Sequence, residues 1–231
     1  NNPATQHVAK GRSPWADARR RFFRNKAAMF GLILLICVAL FALFGGLLAQ
    51  WSNEELDYNV MGQVAELGAP SIASGHYFGT DDLGRDLFAR TVQGTQISLA
   101  VGVVGALIAI VVGTLYGATA GYVGGRVDGF MMRLVDILMA VPYMFVLILL
   151  LVMYGRSITI LFVGVGLISW MDMSRIVRGQ TLSLKGREYV EAARATGVSA
   201  PIIILRHIVP NLLGVIAVYA TLLVPLMILT E

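Results

Sequence analysis

Residues 28–49 read Ala28-Met-Phe-Gly-Leu-Ile-Leu-Leu-Ile-Cys-Val-Ala-Leu-Phe-Ala-Leu-Phe-Gly-Gly-Leu-Leu-Ala49, twenty-two residues without a charge. A bilayer core requires about twenty predominantly apolar residues in helical form. A helix that is hydrophobic all round has no face to offer to water. This stretch therefore predicts a transmembrane helix. Similar runs recur at roughly 97–122, 134–154 and 157–173, and a fifth begins near Ile208 and is still apolar at Leu229. Asp136 and Asp172 are the only ionisable residues within these limits. The expected fold is an all-α polytopic membrane protein with five visible spans.

Composition agrees. The chain of 231 residues is 57% hydrophobic and 14% charged, with a mean hydropathy of +0.73, whereas a soluble domain carries about 25% charged residues. A single cysteine, Cys37, excludes an intrachain disulfide. The first apolar run is too long and too late for a cleaved signal peptide, and no small-residue cleavage site follows it.

Alternating the spans gives two sets of loops. Segments 1–27, 123–133 and 174–207 hold fifteen Lys or Arg, while 50–96 and the turn at 155–156 hold three. Basic residues mark the cytoplasmic side, so the amino terminus and the 174–207 loop are expected there. Seven of the fourteen acids lie in the external loop 50–96. The net charge of +4 thus reflects topology and not a nucleic-acid surface.

The amino-terminal segment interleaves Arg19, Arg20, Arg21, Arg24 and Lys26 with Trp15, Phe22, Phe23 and Phe30. That pattern suits a helix lying in the headgroup interface, and suits a plain positive-inside anchor equally well. In the second span Gly105, Ala109, Gly113, Gly117 and Gly121 recur every four residues and line one helix face. Such a face permits close backbone approach, for static packing in one reading and for a sliding helix in the other. In the external loop, Gly79-Thr80-Asp81-Asp82-Leu83-Gly84-Arg85-Asp86 precedes an amphipathic run. Thr80 or Asp81 is expected to cap it, with the acids at its positive end. A metal site of His76, Asp81 and Asp82 lacks recognised ligand spacing. Asp136 and Asp172 fit local ion pairing with Arg133 and Arg175, against the rival reading of a proton relay.

No catalytic signature is present: there is no HExxH, no GxSxG and no phosphate-binding GxxxxGK[ST]. If solute is driven by ATP, another chain must bind the nucleotide. The polar loop 174–207 carries the remaining signal. Gly186 to Thr196 is a good helix sequence, and Gly197 suits a left-handed stop. Ser199 is placed to cap a second helix with Pro201 in its first turn, and Pro210 follows at the membrane. The slim alanines Ala192, Ala193 and Ala195 shape a knob that fits a partner's groove; an ordinary amphipathic connector is the alternative.

The stretch Glu191-Ala-Ala-Arg-Ala-Thr-Gly197, with Pro210 thirteen residues on, resembles the EAA motif of permease subunits in binding-protein-dependent ABC importers. That family's pattern closes Ile-x-Leu-Pro where this chain has His207-Ile208-Val209-Pro210, so the spacing is kept with two positions substituted. Gly79 to Asp86 is similar to the GTDxxGRD signature of the peptide/nickel branch. Residues 169–183 and 206–211 look most like its OppC-type oligopeptide permeases. The resemblance covers nearly the whole chain. It implies a type I ABC importer transmembrane domain over 28–231, preceded by a cytoplasmic interfacial segment at 1–27, with a sixth membrane helix expected beyond Glu231. It implies import of oligopeptides, or of dipeptides or nickel, by alternating access, with a self-contained channel or secondary transporter as the rival class. ATPase coupling falls by resemblance on Tyr189, Glu191, Ala192, Ala193, Thr196, Gly197, Val198 and Pro210. The implied partners are a second permease (OppB-like), two ATPase subunits (OppD-like and OppF-like) that bind ATP and Mg, and an extracytoplasmic peptide-binding protein (OppA-like). This chain itself is expected to bind no cofactor and to catalyse nothing.

Overall fold

The computed structural model describes residues 14–155 and 157–229. The first thirteen residues of the expected interfacial segment, the side chain of Trp15, Arg156 in the turn after α7, and Thr230 and Glu231 lie outside the described residues. The chain forms two compact units, one to Gln96 and one from Ile97.

In the first unit, α1 (Pro14–Arg24) and α2 (Lys26–Leu48) meet at Asn25. The Asn25 side-chain oxygen accepts the N–H groups of Ala27 and Ala28 at 3.0 and 3.2 Å, so α2 starts on a side-chain cap. Only Ala42 and Gly45 of α2 are buried. They face α4 (Leu87–Ile108), whose residues to Gln96 belong to this unit. A Cβ on Gly45 would sit 2.7 Å from the Val92 side chain, and Gln96 donates to the Ala42 carbonyl at 2.7 Å. Between these helices lies an irregular segment holding only the short α3 (Val64–Leu67). Phe41, Phe78 and Tyr77 gather around Phe88 with ring centroids 5.1 to 5.6 Å away.

In the second unit a π-helical turn, Ala109–Gly113, leads into α5 (Thr114–Val123). Then come α6 (Gly125–Ala140), α7 (Tyr143–Tyr154) and α8 (Ile158–Leu184). After α9 (Glu188–Ala195), α10 (Ala200–Ile203) runs through a second π turn, Ile204–Ile208, into α11 (Val209–Leu229). Its core joins Val101, Ala109, Met173, Val177, Ile208 and Leu212.

The small-residue row explains the packing of α5 on α8. Added Cβ atoms would meet backbone or Cβ atoms of α8 at every lower step: the Trp170 carbonyl from Gly113, the Ser174 carbonyl from Gly117, the Arg178 carbonyl from Gly121. Gly105 instead faces Val165 and Met227, and Ala109 is fully buried. Four residues of α-helix overshoot one turn by about 40°, so an ideal helix would wind this row off its neighbour. The π turn rotates less per residue and brings the row back.

Four helices are long and apolar enough to cross a membrane among the described residues, or five if α6 and α7 are one broken span. That break corrects the expected straight third span. α6 and α7 meet at 72° across Val141 and Pro142, because proline has no N–H to continue the ladder and disfavours helix at the residue before it. The fourth and fifth spans also run on as helix beyond their apolar limits, to Leu184 and from Ala200. Charges at 175–185 mark a change of solvent, not of backbone. Pro210 therefore lies inside a continuous helix, directly after the second π turn, which rearranges the bonds that its missing N–H would leave open.

Candidate functional site: the α9 knob and the Asp57–His76–Asp86 clasp

The helix α9 is two turns long, with Glu188 and Glu191 in its first turn and Arg194 in its last, which suits the helix dipole at both ends. Its end is closed by three interactions. Val198 N–H donates to the Ala193 carbonyl at 3.1 Å and Gly197 N–H to Arg194 at 3.0 Å. These are the two bonds of a Schellman cap. Gly197 holds φ +80°, a conformation that only glycine adopts freely. The Thr196 hydroxyl adds bonds to the carbonyls of Ala192 and Ala193. Ser199 begins α10 through its backbone; its side chain makes no capping bond, contrary to expectation.

One face of α9 is fixed and the other is open. Val190 is fully buried, and Ala193 and Val198 pack on the core. The Arg194 guanidinium stands 5.3 Å above the Tyr122 ring, a cation–π contact that ties α9 to α5. Glu191, Ala192, Thr196 and Gly197 are exposed, as are Tyr189 and Pro210. A cavity of about 640 Å³ opens beside them, walled by Leu184, Arg187, Glu188, Tyr189 and Asn211. Of the predicted knob residues, Tyr189, Glu191, Ala192, Thr196 and Gly197 are thus exposed and Ala193 and Val198 pack on the core, while Pro210 sits farther along on the helix that continues from α10.

The Gly79–Asp86 signature forms a second constellation. Gly79 and Gly84 hold φ +80° and +74°, and a Cβ on Gly84 would collide with the Asp57 carbonyl. Thr80 and Asp86 pair as an isolated bridge. The cap of α4 is Asp86, not Thr80 or Asp81 as expected: its Oδ2 accepts Ala89 N–H at 2.7 Å. Its Oδ1 lies 3.0 Å from His76 Nδ1, whose Nε2 lies 3.4 Å from Asp57 Oδ2. His76 is 1% exposed and stacks on Trp51 at 4.6 Å. Asp86 belongs to the signature, but its pairing with His76 and Asp57 carries no sequence signal, since the three are 19 and 10 residues apart and turns at glycine bring them together. No group of residues fit to hold a metal ion occurs among the described residues. Asp81 instead accepts from the N–H groups of Leu83 and Arg85, with the Arg85 guanidinium at 3.8 Å and Arg90 at 4.0 Å. Burial works to raise both the Asp57 and Asp81 carboxyls. Backbone donors outweigh it, helped by His76 at the first and by Arg85 and Arg90 at the second, so both titrate below the usual carboxylate range.

The two acids expected to pair locally do not do so: among the described residues Asp172 has no ion pair, with Arg175 taken by Asp136. Asp136 of α6 is bound by Arg175 of α8 rather than by Arg133. Arg178 grips Asp128 with two bonds of 2.5 and 2.6 Å, a bidentate clamp between α6 and α8.

The family of binding-protein-dependent transport system inner membrane components matches residues 113–231, which hold α5 to α11 and the knob. The chain belongs to this family. The N-terminal transmembrane domain of oligopeptide transport permease C matches residues 13–75. The chain is 54% identical to the oligopeptide transport system permease protein OppC of Escherichia coli K12, over 96% of this chain and 72% of that protein. It is 50% identical to the OppC of Haemophilus influenzae, over 96% and 70%. Against the dipeptide transport system permease protein DppC of Bacillus subtilis it is 43% identical, over 93% and 65%. This binding-protein-dependent inner membrane component is accordingly a multi-pass membrane protein, with its exposed knob on a polar stretch between two long membrane helices.

Proposed function

We propose that this chain is the permease subunit of an ATP-driven, binding-protein-dependent importer of oligopeptides. Family membership and half-identity to OppC proteins along 96% of the chain support the reading. The observation that carries the mechanism is α9. A short helix with one face locked into the core and the other exposed transmits a push without absorbing it.

In this reading the open face of α9 docks on an ATPase subunit. Two such subunits, OppD-like and OppF-like, hold ATP and Mg and perform the hydrolysis. A second, OppB-like permease completes the path, and an OppA-like binding protein delivers peptide on the external side. The amino terminus and α9 face the cytoplasm. ATP binding draws the ATPases together and moves α9. Arg194 on Tyr122 and the buried Val190 pass that movement to α5 and the core. A ligand shifts such an equilibrium only by favouring one state, and here ATP on the partners supplies the bias.

The test is reconstitution with the partner subunits and binding protein in liposomes, measuring ATP-dependent uptake of tetrapeptide and dipeptide. Tetrapeptide uptake supports the reading. Uptake of dipeptide alone would move the chain to the dipeptide importers, and solute flux by this chain without ATPases would refute it.

A further inference from the structure

Asp172 lies near the middle of α8, fourteen residues from Ile158 and twelve from Leu184. Among the described residues it has no hydrogen bond or ion pair, since Arg175 one turn away is held by Asp136. A carboxylate beside apolar helices without a partner is a functional candidate by default. Its surroundings give that default a chemistry.

Two cavities, of about 230 and 280 Å³, meet at Asp172 and share Tyr143 and Ile168 with it. Leu147, Leu226 and Ile168 give the first its apolar wall. Ser169 lines it too, 4% exposed, with a buried hydroxyl that has no hydrogen-bond partner among the described residues. The second cavity lies against the break between α6 and α7, at Leu138, Met139, Val141 and Pro142. A helix end leaves its last carbonyls without intrahelical donors and carries partial negative charge. Pro142 offers no N–H to them, and the bond made there runs from Val141 N–H to Leu138 at 3.3 Å. The Asp172 carboxylate thus borders two adjoining spaces with apolar walls, one carrying a buried hydroxyl and the other a negative helix end.

We infer that this junction is a cargo site that takes the free α-ammonium group of a passing peptide, with Asp172 as its counter-ion. An ammonium brings three donors and one positive charge, which match the acceptors present. Apolar walls are indifferent to side-chain identity, whereas the α-ammonium is common to all unmodified peptides. A metal ion fits less well, because no ligand group suited to one occurs among the described residues.

The inference rests on the peptide-importer reading, and the test separates the two. In the reconstituted complex, uptake of tri-alanine and of N-acetyl-tri-alanine is compared for wild type, Asp172→Asn and Asp172→Glu. Each variant is expressed relative to wild type for the same peptide, so the binding protein's own preference cancels. Asp172→Asn should lower tri-alanine uptake about tenfold, the size expected for a charge-assisted hydrogen bond, and leave the acetylated peptide within about twofold. Asp172→Glu should restore most of the loss. A second measurement needs no binding protein. In the solubilised complex carrying Tyr143→Cys and Cys37→Ser, tri-alanine should slow alkylation of the new thiol and N-acetyl-tri-alanine should not, and Asp172→Asn should abolish the protection. Equal loss for both peptides would assign Asp172 to an ion pair with a neighbouring subunit and overturn the inference, as would equal protection by both. No uptake of any peptide by the wild-type complex would instead sink the importer reading, and this inference with it.

Discussion

At the scale of single residues, Gly197 carries the sharpest consequence. Its φ of +80° closes α9, and an added Cβ would meet nothing within 4 Å. Space is therefore not the constraint; backbone conformation is. A β-branched residue there costs about 1–2 kcal/mol of strain, enough to favour an opened cap over a Schellman turn. Gly197→Val should leave the membrane helices in place and the complex assembled, while ATP hydrolysis continues and peptide uptake falls at least fivefold. Gly197→Asn should be milder, because asparagine tolerates the left-handed region. Normal uptake by Gly197→Val would show that α9 is a plain connector. Two acids of the 50–96 segment make a second, pH-dependent case. Asp57 and Asp81 titrate below the ordinary carboxylate range in the folded chain. Their contribution is therefore complete above about pH 4 and is lost as pH falls through the depressed values. Amide exchange at Asn59, Leu83 and Arg85, whose N–H groups these carboxylates bind, should stay protected from pH 7 to 5 and rise in excess of the intrinsic rate only below about 4. Loss of protection between pH 7 and 5 would contradict these assignments.

At the scale of elements, the pairing of α5 with α8 decides what can change. Leucine at Gly117 would drive its Cβ into the Ser174 carbonyl and Arg178 N–H of the facing backbone, which cannot rotate away as a side chain does. Overpacking of this kind costs about 1–3 kcal/mol or more. Gly117→Leu should thus lower the thermal stability of the solubilised protein and its assembly with partners. Gly31→Ala, where an added Cβ meets nothing within 4 Å, should be neutral or slightly stabilising by helix propensity. Equal stability of the two variants would show that the small-residue row is not a packing seam. The row was legible because a four-residue repeat of small side chains has one geometric meaning on a helix. Apolar spans were legible for a similar reason, since a bilayer tolerates little else. The break at Pro142 was missed because counting apolar residues records solvent and not backbone direction. The end of α8 and the run of α10 into α11 were missed for the converse reason: charges at Arg175 and Arg178, and Arg206 with His207, end the apolar runs while the helices continue. Asp172 consequently moved from a predicted span end to mid-helix. The clasp of Asp57, His76 and Asp86 was invisible, because distant residues joined by glycine turns leave no periodicity to read.

At the scale of the whole molecule, sidedness links these parts to function. In the proposed importer cargo arrives from outside and the ATPases act from inside, so residues 50–96 are expected outside and α9 in the cytoplasm. Fifteen basic residues against three in the two sets of loops set that expectation, and the identity of the helices does not by itself fix it. Two exposed positions test it. Asn59 lies in the segment between α2 and α3 and Ser183 near the end of α8, and both are exposed. The one native cysteine, Cys37, is first replaced by serine. In intact spheroplasts, Asn59→Cys should react with a membrane-impermeant maleimide, and Ser183→Cys should react only after permeabilisation. The substitution at 59 keeps the backbone N–H that binds Asp57, so the clasp remains as a folded reference. Labelling in the reverse order would place α9 outside, beyond the reach of any cytoplasmic ATPase. The coupling role of Glu191 to Val198 would then fall, although the helices and their packing stood unchanged.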